Sequence, residues 1–239
     1  ASIFDAPLQY EFLARPFRTR NNTLAADPEV SADYRTFTFR IKPGIFFAPD
    51  EAFGGKKREL VAQDYVYSFK RFYDAKWKSA NLYLLENAKI VGMSELRKKA
   101  LADKDKPFPY DTEVEGLKAL DRYTFRITLA EPNPRFLQLM TDGSFTGAVA
   151  REVVEKYGDK IMEHPVGTGP FMLKRDEWRR ASRVVLVRNP NYRDVFYDEH
   201  PPENDPIGQA AAAKLKGRKL PMIDRVEISI IEENQPRWL

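Results

Sequence analysis

Residues able to perform chemistry are sparse in this chain, and their spacing argues against a reactive centre. The histidines, His164 and His200, each precede a proline, and neither belongs to an HxH or HxxxH pair that would aim ring nitrogens at one metal ion. Cysteine is absent, which excludes thiolate catalysis, disulfides and Cys-based metal sites. No G-x-S-x-G elbow is present to carry a serine nucleophile. Carboxylates do fall side by side, at Asp50-Glu51 and Glu232-Glu233. Acid–base work needs carboxylates paired across a cleft, and surface solvation is the default for neighbours along a chain. The expectation is therefore no catalytic residue, no metal and no cofactor.

Gly167-Thr168-Gly169-Pro170 is the one glycine-rich turn that invites a phosphate-loop reading. That reading needs G-x-x-x-x-G-K-[ST] opening a helix, whereas Pro170 here leads into the apolar run Phe171-Met172-Leu173. A structural corner fits better: Gly167 and Gly169 permit positive φ or close backbone approach, and Pro170 fixes the exit direction. Asn189-Pro190-Asn191-Tyr192 is a second turn, with Asn189 biased to extended geometry by the following proline and Tyr192 free to pack back on a sheet.

The elements that hold these turns follow from periodicity. Thr36–Ile41 alternates with period two, placing Phe37, Phe39 and Ile41 on one strand face, and Pro43-Gly44 ends it in a type II turn. Ile45-Phe46-Phe47 resumes as a short strand. A helix spans about 62–74, with Ala62, Tyr65, Val66, Phe69, Phe72 and Tyr73 on one face and Asp64 in its first turn. Residues 93–112 form a charged insert whose first half is an exposed helix. Tyr123–Leu129 is another alternating strand, resembling 36–41 as an antiparallel neighbour would. A short helix covers 135–140, Asp142-Gly143-Ser144 is a loop, and Val149–Tyr157 is a helix closed by Gly158. Strands are expected at 171–174, 184–188 and 225–231, and a helical turn or two at 210–215. Residues 1–34 read as loosely ordered.

Composition fits a folded chain of one or two domains: 43% of the 239 residues are hydrophobic and 31% are charged. The 39 basic residues are interleaved with 35 acidic ones, so no concentrated basic face points to nucleic acid. No apolar run reaches the roughly 20 residues of a membrane span. The N-terminus lacks the basic and apolar regions of a signal peptide, and the chain stops directly after its last strand, which suggests a longer protein.

The segment PVGTGPFMLKRDEW…SRVVLVRNPNY, together with RELVAQDYVYSFKRF, TFTFRIKPGIFF, AVAREVVEKYGD and PMIDRVEISIIEEN, resembles collinear motifs of the bacterial extracellular solute-binding proteins of family 5. These are the peptide, nickel and haem receptors of ABC importers. Val61 departs from the family's usual threonine, so the side-chain cap of that helix is missing. The resemblance implies an α/β (mixed α+β) lobe of a type II periplasmic binding protein, with mixed sheets and flanking helices, incomplete relative to the two-lobed receptor. Residues 1–146 would form the smaller accessory domain and 147–239 part of the core domain. It further implies an exported, periplasmic protein that captures a solute, most readily an oligopeptide, for ABC permease subunits, without direct membrane insertion. A haem or nickel-chelate ligand, or an enzyme with a hidden site, are the alternatives. The cleft-facing positions implied are Asn81, Tyr83, Asp142, Gly143, Ser144 and Phe145, with Gly167, Thr168, Gly169, Pro170, Asn189, Pro190 and Tyr192 as structural motif.

Overall fold

The computed structural model describes residues 3–103 and 105–231; Glu232-Glu233 and the closing Pro236–Leu239 lie outside the described residues. The N-terminal stretch is more regular than its prolines suggest. It forms an antiparallel ribbon of β1 (Leu8–Tyr10) and β2 (Thr19–Asn21), followed by the edge strand β3 (Glu29–Val30). Hairpin pairing organises it, together with distant backbone bonds such as Leu8 N–H to the Met140 carbonyl at 3.0 Å, and local propensity does not report such pairing.

The central layer is a four-stranded antiparallel sheet in the order β3, β4 (Thr36–Arg40), β6 (Thr124–Thr128), β5 (Leu117–Ala119). The two alternating segments are direct neighbours, with Phe39 opposite Phe125 and Phe37 opposite Ile127. β5 is too short to show a period and was not legible in the sequence. Ile45–Phe47 makes only a bridge to the Arg58–Leu60 stretch and not a full strand. Gly44 takes the positive φ its turn requires, +81°.

Helix α1 (Ala62–Tyr73) lies on this sheet. Its stripe is core: Tyr65 stacks on Phe125, which stacks on Phe39, with centroids 4.6 and 4.7 Å apart. Val61 supplies no side-chain cap, as expected, and Asp64 takes over: its carboxylate accepts from Val61 N–H at 2.8 Å and from Arg58 at 2.7 Å. Asp64 is buried, so the pairing with Arg58 does more than serve the helix dipole.

The connection to β5 carries α2 (Leu82–Ala88) and α3 (Met93–Ala102), and α3 is anchored by buried Met93 and Leu96, so it is less exposed than its charge implies. Buried Lys70 of α1 fastens the remainder of that insert by donating to the carbonyls of Tyr110 and Thr112 at 2.7 and 2.6 Å. After β6 come α4 (Phe136–Leu139), α5 (Gly143–Thr146) and α6 (Arg151–Tyr157). The expected loop at 142–144 is thus the start of a helix, because the Asp142 carboxylate accepts from Ser144 N–H at 2.9 Å.

A separate three-stranded sheet follows, ordered β7 (Phe171–Leu173), β8 (Arg183–Arg188), β11 (Arg225–Ser229), with β9 (Val195–Phe196), α7 (Pro206–Leu215) and β10 (Lys219–Leu220) inserted before β11. β11 is an edge strand and shorter than its alternating pattern. Ile228 and Ile230 remain 46% and 43% exposed, because no described element covers that face.

The Gly-Thr-Gly-Pro corner works by close approach. A Cβ on Gly167 would meet the Ile3 carbonyl oxygen at 2.2 Å, while Gly169 N–H donates to that same oxygen at 2.8 Å. Asn189 donates its side-chain amide to the Gly169 carbonyl and accepts from Asn191 N–H, both at 2.9 Å, and half-buried Tyr192 closes the turn. Thr168 is buried beside Asp5, which pairs with Arg193 at 2.6 Å. Gly167→Ala is expected to destabilise the fold by about 2–3 kcal/mol in urea unfolding through overpacking. A loss under about 0.5 kcal/mol, the range of neutral surface changes, would show that the Ile3 segment is not held against the corner.

Candidate functional site

The C-terminal half of α1 forms one wall of a cleft of about 460 Å³. Ser68, Arg71 and Phe72 project from it; α5, α6 and the 310 turn Gly158–Glu163 supply the opposite side. Phe72 meets Phe145 edge-on, with centroids 5.0 Å apart, and this contact joins α1 to α5 at the floor. Ser68 strengthens the junction: its hydroxyl donates to the Asp64 carbonyl at 2.6 Å and accepts from Val149 N–H at 2.8 Å.

Four of the six cleft positions expected from the sequence, Asn81, Gly143, Ser144 and Phe145, border this cleft. Tyr83 and Asp142 are not part of its lining. Tyr83 is 56% exposed on α2, and Asp142 is occupied as the cap of α5. Gly143 has a backbone reason as well, since a Cβ there would meet the Phe4 carbonyl oxygen at 2.2 Å.

Arg71, Phe72, Trp77 and His164 also line the cleft and were not expected there. Phe72 was read as core stripe. Arg71 closes the recognised helix motif, a position that could have drawn attention; Trp77 follows the helix in a stretch without a motif. Trp77 is held rigidly: its indole N–H donates to the Tyr110 hydroxyl at 2.9 Å, and that hydroxyl donates to the Asp74 carboxylate at 2.6 Å.

His164 stacks on Tyr157, with centroids 3.6 Å apart, and accepts at Nδ1 from the Arg175 guanidinium. Arginine can only donate, so the ring proton sits on Nε2. Asp50 binds Arg175 at 2.7 Å and Tyr157 at 2.9 Å, while Glu51 pairs with Lys156 at 3.1 Å. These neighbouring carboxylates are thus spent on structural contacts and do not face each other as an acid–base couple. Among the described residues, no group of three or more His, Asp or Glu side chains is placed to hold a metal ion. No helix among them is long and apolar enough to cross a membrane.

Fold and cleft together define a lobe of a type II periplasmic binding protein. The oligopeptide-binding protein OppAIV of Borrelia burgdorferi superposes with a TM-score of 0.67 at 20% identity, over 99% of this chain and 39% of its own. DppA of Helicobacter pylori, solved with the peptide STSA, gives 0.61 at 20% identity over 99% and 38%. The family is fixed by sequence: the chain belongs to the bacterial extracellular solute-binding proteins, family 5, whose middle-region model matches residues 20–239. Curated relatives include the periplasmic oligopeptide-binding protein OppA of Salmonella typhimurium, 33% identical over 68% of this chain and 27% of that protein. The dipeptide-binding protein of Lactococcus lactis is 30% identical over 72% of this chain and 28% of its own length. The chain therefore spans little more than a quarter of the relatives it matches.

Burial, and then the Arg175 charge, hold the His164 pKa below its ordinary value near 6.5. Its neutral form is the one the fold prefers, so its contribution is complete above pH 6.5 and is lost as pH falls through the depressed folded value. An NMR titration is expected to place His164 below 6.5 and to show Arg175→Gln raising it. An unchanged midpoint in that variant would dismiss the coupling.

Proposed function

We propose that this chain forms part of a solute-binding receptor that captures a peptide and delivers it to the permease of an ABC importer. The supporting observation is the cleft beside Asn81 and Ser144. It falls within the roughly 300–1,000 Å³ typical of ligand pockets, is chiefly apolar, and carries a few polar groups, Ser68, Asn81 and Ser144 among them. The relatives at 30% identity or more are oligopeptide- and dipeptide-binding proteins, binding proteins rather than enzymes, and the family is extracellular. On this reading the protein is exported to the periplasm. Residues 1–146 act as the accessory domain and 147–239 as part of the core domain, with Asn81 and 143–145 facing the ligand.

A peptide lying across one lobe keeps its other side in water until a second lobe closes over it by hinge motion. Calorimetric titration with tri- to pentapeptides tests this. A receptor joining this chain to a second lobe is expected to bind at micromolar affinity or tighter, and the 239-residue chain alone at least about tenfold more weakly. Silence with peptides alongside binding of haem or a nickel chelate would replace the peptide reading. Turnover of the peptide would replace the receptor reading.

A further inference from the structure

The cleft has a charge asymmetry that its apolar lining hides. Arg71 and Lys78 line it, beside a neutral His164, and no aspartate or glutamate does. Arg71 is the unusual member. Elsewhere in this chain, half-buried arginines are paired: Arg58 with Asp64 and Glu152, Arg193 with Asp5, Arg225 with Glu177. The Arg71 side chain makes no hydrogen bond or ion pair among the described residues; its Nε is sealed without an acceptor, and its terminal guanidinium nitrogens are the ones left open. Its one defined contact is the Trp77 ring, over which the guanidinium carbon sits 4.6 Å from the centroid.

The neighbouring acid is committed elsewhere. Asp74, the acid whose charge reaches Arg71, accepts from Tyr110 and from Lys76 N–H. Burial pushes the Arg71 pKa below its ordinary value, with only weak compensation from the Tyr67 and Tyr110 hydroxyls and Asp74. A buried donor without an acceptor is costly and is commonly explained by a missing partner. Lys78, at the cleft rim, adds a second positive charge from a left-handed backbone position, φ +46°.

The geometry points to a carboxylate subsite: Arg71, stacked on Trp77, receives an anionic group borne next to an aromatic or bulky apolar side chain, such as the free C-terminus of a peptide ending in phenylalanine. The planar guanidinium fork matches a carboxylate bidentately, and Phe72, Phe145 and Trp77 provide the apolar seat beside it. This deepens the peptide reading by naming the chemistry of one ligand end, and the carboxylate part stands without it.

NMR titration of the 239-residue chain with 3-phenylpropionate and with 3-phenylpropanamide tests the subsite through the Trp77 indole signal. The acid is expected to bind about tenfold more tightly than the amide, the scale of a charge-assisted hydrogen bond. In Arg71→Gln the two should bind equally. Equal binding in the unaltered protein, no binding of either probe, or an undiminished acid preference in R71Q would each overturn the proposal. If R71Q does not fold by circular dichroism, Arg71→Lys serves: it keeps the charge but loses the fork, so the acid preference should fall several-fold, and an unchanged preference would overturn the inference. Ala-Ala-Phe and its C-terminal amide separate this from the parent reading. Peptides that bind equally with either terminus would refute the subsite and leave peptide capture standing. A carboxylate probe that binds through Arg71, with neither peptide bound by a receptor that joins this chain to a second lobe, would keep the subsite and refute peptide capture.

Discussion

The fold depends on one tight passage: the segment from Ile3 to Ala6 runs through a slot lined by glycines. Gly143 and Gly147 press on Phe4, and Gly167 on Ile3 and Phe4, each at distances where a Cβ would collide with backbone or with Phe4 itself. Glycine is required for the space it leaves empty, since none of the three is held at positive φ. Asp5 then locks the passage. Its carboxylate pairs with Arg193, which also donates to the Asn22 side chain at 2.6 Å, and both charges are almost fully buried. Removing one partner of such a pair leaves an uncompensated buried charge, so the arrangement is an all-or-none unit.

The slot sits between the parts of the chain that the cleft needs. Gly143 begins α5, and the 164–166 stretch just before Gly167 borders the opposite rim. Residues 3–6 therefore set the spacing between the helical wall and the corner of the second sheet. α1 carries the other half of the constraint. Its buried face is fixed to β4 and β6 by the Phe39–Phe125–Tyr65 stack, and Tyr65 is pinned further by a 2.8 Å hydrogen bond with Thr23. A helix so anchored presents Ser68, Arg71 and Phe72 to the cleft with little freedom, and a binding site needs that rigidity to avoid an ordering cost when ligand arrives.

Much of this was legible from spacing. The period-two runs at 36–41 and 123–129 specified half-buried strands, and their similarity reflected direct pairing. The stripe of α1 identified a packed face, and the Gly-Thr-Gly-Pro and Asn-Pro-Asn-Tyr segments form the tight turns that their residues implied. What failed has common causes. β1, β2, β3 and β5 are two or three residues long, too short to show a period. The alternation of 225–231 gave the strand but not its exposure, because alternation reports only which side is apolar and not whether anything lies on it. In the cleft, the family resemblance pointed to the loops around Asn81 and Asp142, which carry no motif, while Arg71 and Trp77 were passed over.

The sequence by itself determined the class of elements, the two turns, the absence of cysteine chemistry and the family, because each rests on local periodicity or on residue types in fixed order. Tertiary structure decided which glycines were needed for close approach, that Asp5 finds Arg193 across 188 positions, and that Arg71 is left without a carboxylate. Those are facts about separation in space. Linear spacing carries no record of a partner that is missing, nor of a backbone that passes 2.2 Å from where a side chain would begin.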